Sequence, residues 1–309
     1  MSLLPFRRKS AHSDTTAPAL DGILAGYSIE VMPRTADKVS DFRALLPKGT
    51  RVYIAHIDGT EIADMVATAR RLAAEGFEVM PHFPARLIPD AATLTDWIAR
   101  YQGEAGVRQA LLLGGGLATP RGAFDNSMQL IETGAFDRAG FTHLHVAGHP
   151  EGNRDIDPDG SDAMVMQALR WKQAFAERSD ARMAMATQFA FEAAPVIAWA
   201  ERLKAEGITL PIHLGIAGPA KLQTLIRFAI ACGVGPSLKV LQKRALDVTK
   251  LLLPYEPTEI LSDLAAHKRR DPDSLIEQIH LFPLGGIKTA AQFAIDHGGA
   301  ATLPMHAKA

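Results

Sequence analysis

The chain has 309 residues, 47% of them hydrophobic, and a formal net charge of −1 from 33 basic and 34 acidic side chains. This balance excludes a strongly basic surface for nucleic acid or an acidic membrane and leaves ample apolar residues for a large core. A single cysteine, Cys232, excludes an internal disulfide and a multi-thiolate metal centre, and no run approaches the roughly 20 apolar residues that span a bilayer, so a soluble, cytoplasmic protein is expected.

Residues 1–20 are rich in Ser, Thr, Pro and basic side chains without periodicity and read as a mobile tail; 21–309 read as one domain. From there, short β-prone runs alternate with stretches of helical period. Strands are predicted at 27–31, 51–56, 78–82, 109–114, 143–148, 183–188, 211–216 and 279–284. Helices are predicted at 39–45, 62–75, 91–102, 126–133, 162–177, 193–206, 219–232 and 289–297. A further helical stretch, 238–269, has no strand of its own and reads as an insertion before the eighth strand, with 271–278 leading in. Cys232 closes an apolar helix and is assigned a packing role. Eight βα repeats predict an α/β fold, a single-domain (β/α)8 TIM barrel with its active site at the carboxyl ends of the strands. An open doubly wound sheet would need a G-x-G-x-x-G turn after an early strand, and none occurs.

The strand ends collect polar residues, as that fold requires of a functional mouth. Glu30 interrupts the first apolar strand, with its direction, inward or outward, left open by alternation alone. His56 and Asp58 follow the second strand, His82 the third, and Gly114, Gly115 and Gly116 the fourth. The fifth runs through Val146, Ala147 and Gly148 into His149, Glu151 and Asn153; the sixth ends in Thr187, Gln188 and Phe189; the seventh holds His213 and Gly215; the eighth leads to Gly285, Gly286 and Lys288. Each has a structural reading as well: a paired carboxylate, a loop-fixing histidine, an amide serving the barrel rim, a tight βα turn. The three glycines also let a flat or phosphate-bearing cofactor lie close to the backbone.

The histidines raise a metal reading, but no H-x-x-x-H pair occurs, and His143-x-His145 precedes its strand's carboxyl end, so no metal is expected. A serine nucleophile lacks a G-x-S-x-G elbow.

The order of these motifs resembles the methylenetetrahydrofolate reductase family over about residues 27–300. Ser28-Ile-Glu-Val-Met-Pro-Arg-Thr35 is similar to the family's opening strand, and Pro81-His82 to its third-strand end. Val146-Ala-Gly-His-Pro-Glu-Gly152 is similar to its V-A-x-Y-P-E segment, and Thr187-Gln-Phe-Ala-Phe-Glu192 to its T-Q-x-x-F-D. Gly215-Ile216, Phe228-Ala and Cys232-Gly-Val resemble its P-G-I…F-A…G-V stretch. The resemblance implies a flavin-dependent barrel that reduces 5,10-methylenetetrahydrofolate to 5-methyltetrahydrofolate with FAD and NADH or NADPH, in a family whose bacterial members are commonly homo-oligomers. It implies Glu30 as general acid, suited to a pKa raised by an apolar setting. Gln188, Phe189 and Lys288 then fall at the folate, and His56, His82, Gly114, Gly115, Gly116, His149, Asn153 and Lys172 at the flavin cofactor, with Lys172 near its phosphates.

This sequence departs from the family at its fourth strand end, where R-G-D-L becomes Gly114-Gly115-Gly116-Leu117, and near the eighth, where an expected arginine falls at Gly286. Two other readings follow: FAD-independent hydride transfer from a nicotinamide to folate, and a folate-binding or methyl-transfer partner without redox activity.

Overall fold

The computed structural model describes residues 20, 22–233, 240–242 and 254–300. The predicted tail at 1–20 lies outside these except for Leu20, which is buried. Eight parallel strands form in chain order: β1 (Ser28–Val31), β2 (Arg51–Ile54), β3 (Glu78–Pro84), β4 (Gln109–Leu113), β5 (His143–Gly148), β6 (Arg182–Ala190), β7 (Ile212–Ala217) and β8 (Ile276–Phe282). Each pairs with the next, and β8 returns to β1 through Ser28 opposite His280, closing a (β/α)8 barrel.

Alternation along the strands sorts side chains into two layers. Ile29, Val31, Val52 and Ile54 point outward into the main core beneath the helices, with Phe83, Leu112, Leu144 and Val146. Tyr53, Met80, Leu111 and Ala186 point inward and form a small separate interior cluster. Glu30 shares the register of Tyr53 across β1 and β2, so the carboxylate faces into the barrel.

The helices are α1 (Pro33–Ala36), α2 (Ile62–Ala74), α3 (Ala91–Ala105), α4 (Ser127–Glu132), α5 (Ala135–Arg138), α6 (Ala163–Ala176), α7 (Ala193–Ala205), α8 (Leu222–Ala231), α9 (Thr258–Arg270) and α10 (Ile287–Asp296). Their ends follow local chemistry. Asp90 accepts from the Thr93 amide to start α3, Gly106 ends it in a left-handed conformation, and Asn126 with Gln129 forms a reciprocal cap on α4.

Four expectations change. The helix predicted at 39–45 is replaced by α1 and a short 3-10 turn, Phe42–Ala44, whose amide is held by the Glu75 carboxylate. The eighth strand begins at Ile276, inside the predicted lead-in, because its first residues already pair with β7. The insertion is also displaced. Helix α9 packs against α7 and takes the ring position after β7, whereas α8 packs on Phe189, Phe191, Ala217 and Tyr255, at the carboxyl side of β6 and β7. An antiparallel bridge between Ala220 and Tyr255 pinches the base of this excursion; residues 238–239 and 243–253 of the predicted insertion lie outside the described residues. Cys232, expected to pack, is exposed at the end of α8. The helix that should have buried it lies on the barrel rim.

Candidate functional site at the barrel mouth

Glu30, His82 and His280 meet inside the mouth. Glu30 Oε2 lies 3.3 Å from His82 Nε2 and 3.8 Å from His280 Nε2. On its other side, His280 Nδ1 is 3.0 Å from the Ser28 hydroxyl. Ser28 donating to Nδ1 leaves the His280 hydrogen on Nε2, directed at the carboxylate. Burial would push the Glu30 carboxyl up, but hydrogen bonding and charge from His280 and His82 outweigh it and hold the pKa at about 2. This corrects the expectation of a raised pKa. The flanking Ile29 and Val31 that suggested an apolar setting face away, and imidazoles line the side that Glu30 actually faces.

Gln188 reaches the same mouth through a β-bulge. Ala186 pairs with His213 and Phe189 with Gly215, so β6 carries one extra residue between them. The Thr187 hydroxyl accepts from the Gly215 amide at 2.9 Å and stabilises the bulge. A Cβ on residue 215 would stand 2.6 Å from both the Thr187 and Gln188 carbonyl oxygens, so glycine is required there. The Gln188 Oε1 and the His56 Nδ1 are both buried without a hydrogen-bond partner among the described residues, whereas His82 Nε2 faces the Glu30 carboxylate. Buried polar atoms in that state are costly and point to something that satisfies them in function.

The bulge also decides the fate of Phe189. Expected at the substrate, it is instead 2% exposed and packs edge-on against Phe191 and Phe282 in the cluster that seats α8. It serves the core. Lys288 lies in the first turn of α10, exposed on the rim, apart from the Glu30 cluster. His56 lies over Trp97, ring centroids 4.9 Å apart, and donates from Nε2 to the Thr60 carbonyl at 3.0 Å; burial lowers its pKa.

At the fourth strand end, Gly115 has a positive φ of 95° and presses on Pro84, where a Cβ would come within 3.0 Å of the proline Cβ. Gly116 has open space around it. The turn is braced by Arg86, whose amide donates to the Gly114 carbonyl and whose guanidinium bonds the Leu117 carbonyl and the Asp125 carboxylate. An arginine and an aspartate are therefore present beside this turn, but on other segments and bonded to each other.

The fifth strand end forms a second, lateral group. Asn153 Nδ2 approaches His149 Nδ1 at 3.5 Å, so these two lie side by side. Behind them Lys172, on α6, is buried with no carboxylate partner among the described residues. Burial lowers its pKa to about 8, and burial together with the Lys172 charge lowers that of His149 to about 4. Asp157 accepts from the Met164 and Val165 amides and closes the start of α6. His149 and Glu151 line a cavity of about 380 Å³ with Ser161, Asp162, Val165 and Arg202, on the flank rather than on the barrel axis.

His280 falls inside the eighth strand predicted at 279–284, among neighbours that read as apolar filling, so hydrophobic period alone gives it no role. The signal was an alternating His280-x-Phe282 on a strand otherwise Ile- and Leu-rich.

No family model matches the chain. It is similar in structure to an uncharacterized protein from Clostridium thermocellum that binds two copies of 5-methyl-5,6,7,8-tetrahydrofolic acid, with a TM-score of 0.54, 11% identity, and coverage of 89% of this chain and 98% of that one. Weaker similarity extends to a beta-mannanase from Streptomyces thermolilacinus, with a TM-score of 0.45, 16% identity and coverage of 84% and 78%. At these identities the likeness is one of fold.

Proposed function

We propose that the mouth binds a reduced folate and that the protein reduces its one-carbon unit, as a reductase of the 5,10-methylenetetrahydrofolate to 5-methyltetrahydrofolate type. The observation that supports this reading is the Glu30 carboxylate set between His82 and His280, with the Gln188 side chain carrying a buried oxygen that has no partner among the described residues. A pterin ring offers N–H donors for the Gln188 Oε1 and for the carboxylate, and an acceptor for a histidine N–H. The structural neighbour's ligand, 5-methyltetrahydrofolate, is the product that such a reaction would release.

Glu30 is ionised at neutral pH in the resting site. The proton that the reaction takes up would therefore be held within the Glu30, His82 and His280 group, and passes to the folate through Glu30 once the ligand excludes water and weakens the imidazole contacts. Ser28 keeps His280 oriented for that transfer.

The fifth-strand group fits a phosphate-bearing flavin in charge: Lys172 is a buried ammonium with no carboxylate partner among the described residues, beside the His149 and Asn153 pair. His149, Asn153 and Lys172 would hold FAD, with Gly116 leaving backbone open to it. When bound, the flavin supplies hydride taken from NADH or NADPH.

Calorimetry of the full chain with 5-methyltetrahydrofolate and the visible spectrum of the purified protein test this reading together. Binding, flavin absorption and NAD(P)H-dependent folate reduction are expected. Failure to bind the folate overturns the reading. A colourless protein that binds folate and transfers no hydride supports instead the folate-binding or methyl-transfer reading, which the uncharged Gly114, Gly115 and Gly116 turn favours.

A further inference from the structure

Barrels of this kind fill their interior with layers of branched apolar side chains. Here the level below the mouth is occupied by Tyr53, His145 and His213, all buried, with Met80, Leu111 and Ala186 as apolar neighbours. The Tyr53 hydroxyl lies 2.6 Å from His145 Nδ1 and 3.5 Å from His213 Nδ1. His213 Nε2 is 3.3 Å from Glu277 Oε2. His213 is the second residue of β7 and Glu277 the second of β8, at the amino ends of their strands. The side chains of His213 and Glu277 are 5% and 58% exposed, so the line of contacts runs from solvent on the face opposite the mouth to the barrel centre.

Toward the mouth the line stops. His280 meets the Tyr53 ring, centroids 4.4 Å apart, and no hydrogen bond among the described residues joins the Tyr53 hydroxyl to Glu30, His82 or His280. Two other polar groups at the amino end flank this line. Arg51 bonds Gln109 and Glu78 and stands close enough for its charge to act on Tyr53, His145, His213 and Glu277, and His143 lies beside the Thr142 hydroxyl with its ring 6.4 Å from that of His145.

We propose that this line is a proton port, by which solvent protons enter at Glu277 on the amino-terminal face of the barrel and reach His145 through His213 and Tyr53. Glu277, protonated from solvent, gives its proton to His213 Nε2 while His213 releases the hydrogen on Nδ1 to the Tyr53 oxygen. Tyr53 passes its own hydroxyl proton to His145 Nδ1. One proton leaves solvent, one is added to His145, and only O–H and N–H bonds are exchanged. Burial keeps both imidazoles neutral, the state in which each has one donor and one acceptor nitrogen. The proposal is independent of what binds at the mouth.

The test is solvent exchange of the proton shared by Tyr53 and His145, followed by NMR in the full chain near neutral pH, with the signal identified by its loss in Tyr53→Phe. Glu277→Gln keeps the surface contact but cannot carry a proton, and is expected to slow this exchange about a hundredfold. His213→Phe should slow it likewise, and Glu30→Gln should leave it unchanged. Unaltered exchange in Glu277→Gln overturns the proposal, and this half-exposed position keeps the test open even where His213→Phe does not fold. Slowing by Glu30→Gln alone would show entry from the mouth and would also overturn it.

Discussion

At the scale of single residues, neighbours decide chemistry that residue type leaves open. Glu30 was visible as a carboxylate in an apolar strand, but its ionisation state follows from His82 and His280, distant in the chain. If the proposed reduction is correct, Glu30→Gln should lower folate reduction by about two to four orders of magnitude while reduction of a bound flavin by NAD(P)H persists, as measured by separate half-reactions. Gly215→Ala should cost about 1–3 kcal/mol in denaturant unfolding, since its Cβ meets two carbonyl oxygens of the Gln188 bulge, and should weaken folate binding in calorimetry. Lys172 presents the opposite case. Its pKa is near 8 when folded against 10.5 for the ordinary side chain, so between those values the unfolded chain binds more protons. Its contribution is favourable above that window and is lost as pH falls toward 8, at a cost on the order of 3 kcal/mol at neutral pH. Lys172→Met is therefore expected to raise the melting temperature of cofactor-free protein while weakening FAD binding.

At the scale of elements, the period of the sequence located most strands and helices, and β5 coincides with its predicted bounds. What periodicity could not reveal was which of two helical stretches after β7 belongs to the ring. Both α8 and α9 have an apolar stripe, and only packing partners separate them: α7 for α9, the rim aromatics for α8. The loop between β5 and α6 was likewise read as a polar cluster, with no sign that Asp157 anchors it. Asp157→Ala removes two amide contacts at the start of α6 and should cost about 1–2 kcal/mol by thermal unfolding. The same change should disturb the His149 and Asn153 pair that this loop presents.

For the whole molecule, the interior histidines make stability depend on acid. Burial lowers the pKa of His145, His213, His280 and His149, the last to about 4. For each, the unfolded chain binds the proton first as pH drops below the ordinary value of 6.5, so the native state loses stability from there down through the folded pKa. Glu30 acts in the same direction at lower pH, its contribution present above 4.5 and lost toward 2. Melting temperatures should be level between pH 8 and 7 and fall progressively below about pH 6.5. A flat profile down to pH 4 would show that these imidazoles are not held neutral by the fold. Among the described residues no helix is long and apolar enough to cross a membrane.

The sequence by itself determined the alternation of strands and helices, the barrel that follows from eight such repeats, and the clustering of polar residues where strands end. These are local properties, written in hydrophobic period and turn composition. Tertiary structure decided which polar residues face each other. Ser28 and His280 are 252 positions apart, Tyr53 and His145 92 apart, and their contacts exist only because the barrel closes in one register. It turned Phe189 into the core, brought His280 to Glu30 and moved α8 to the rim, because inward direction, bulge position and helix partner are set by pairing between distant strands.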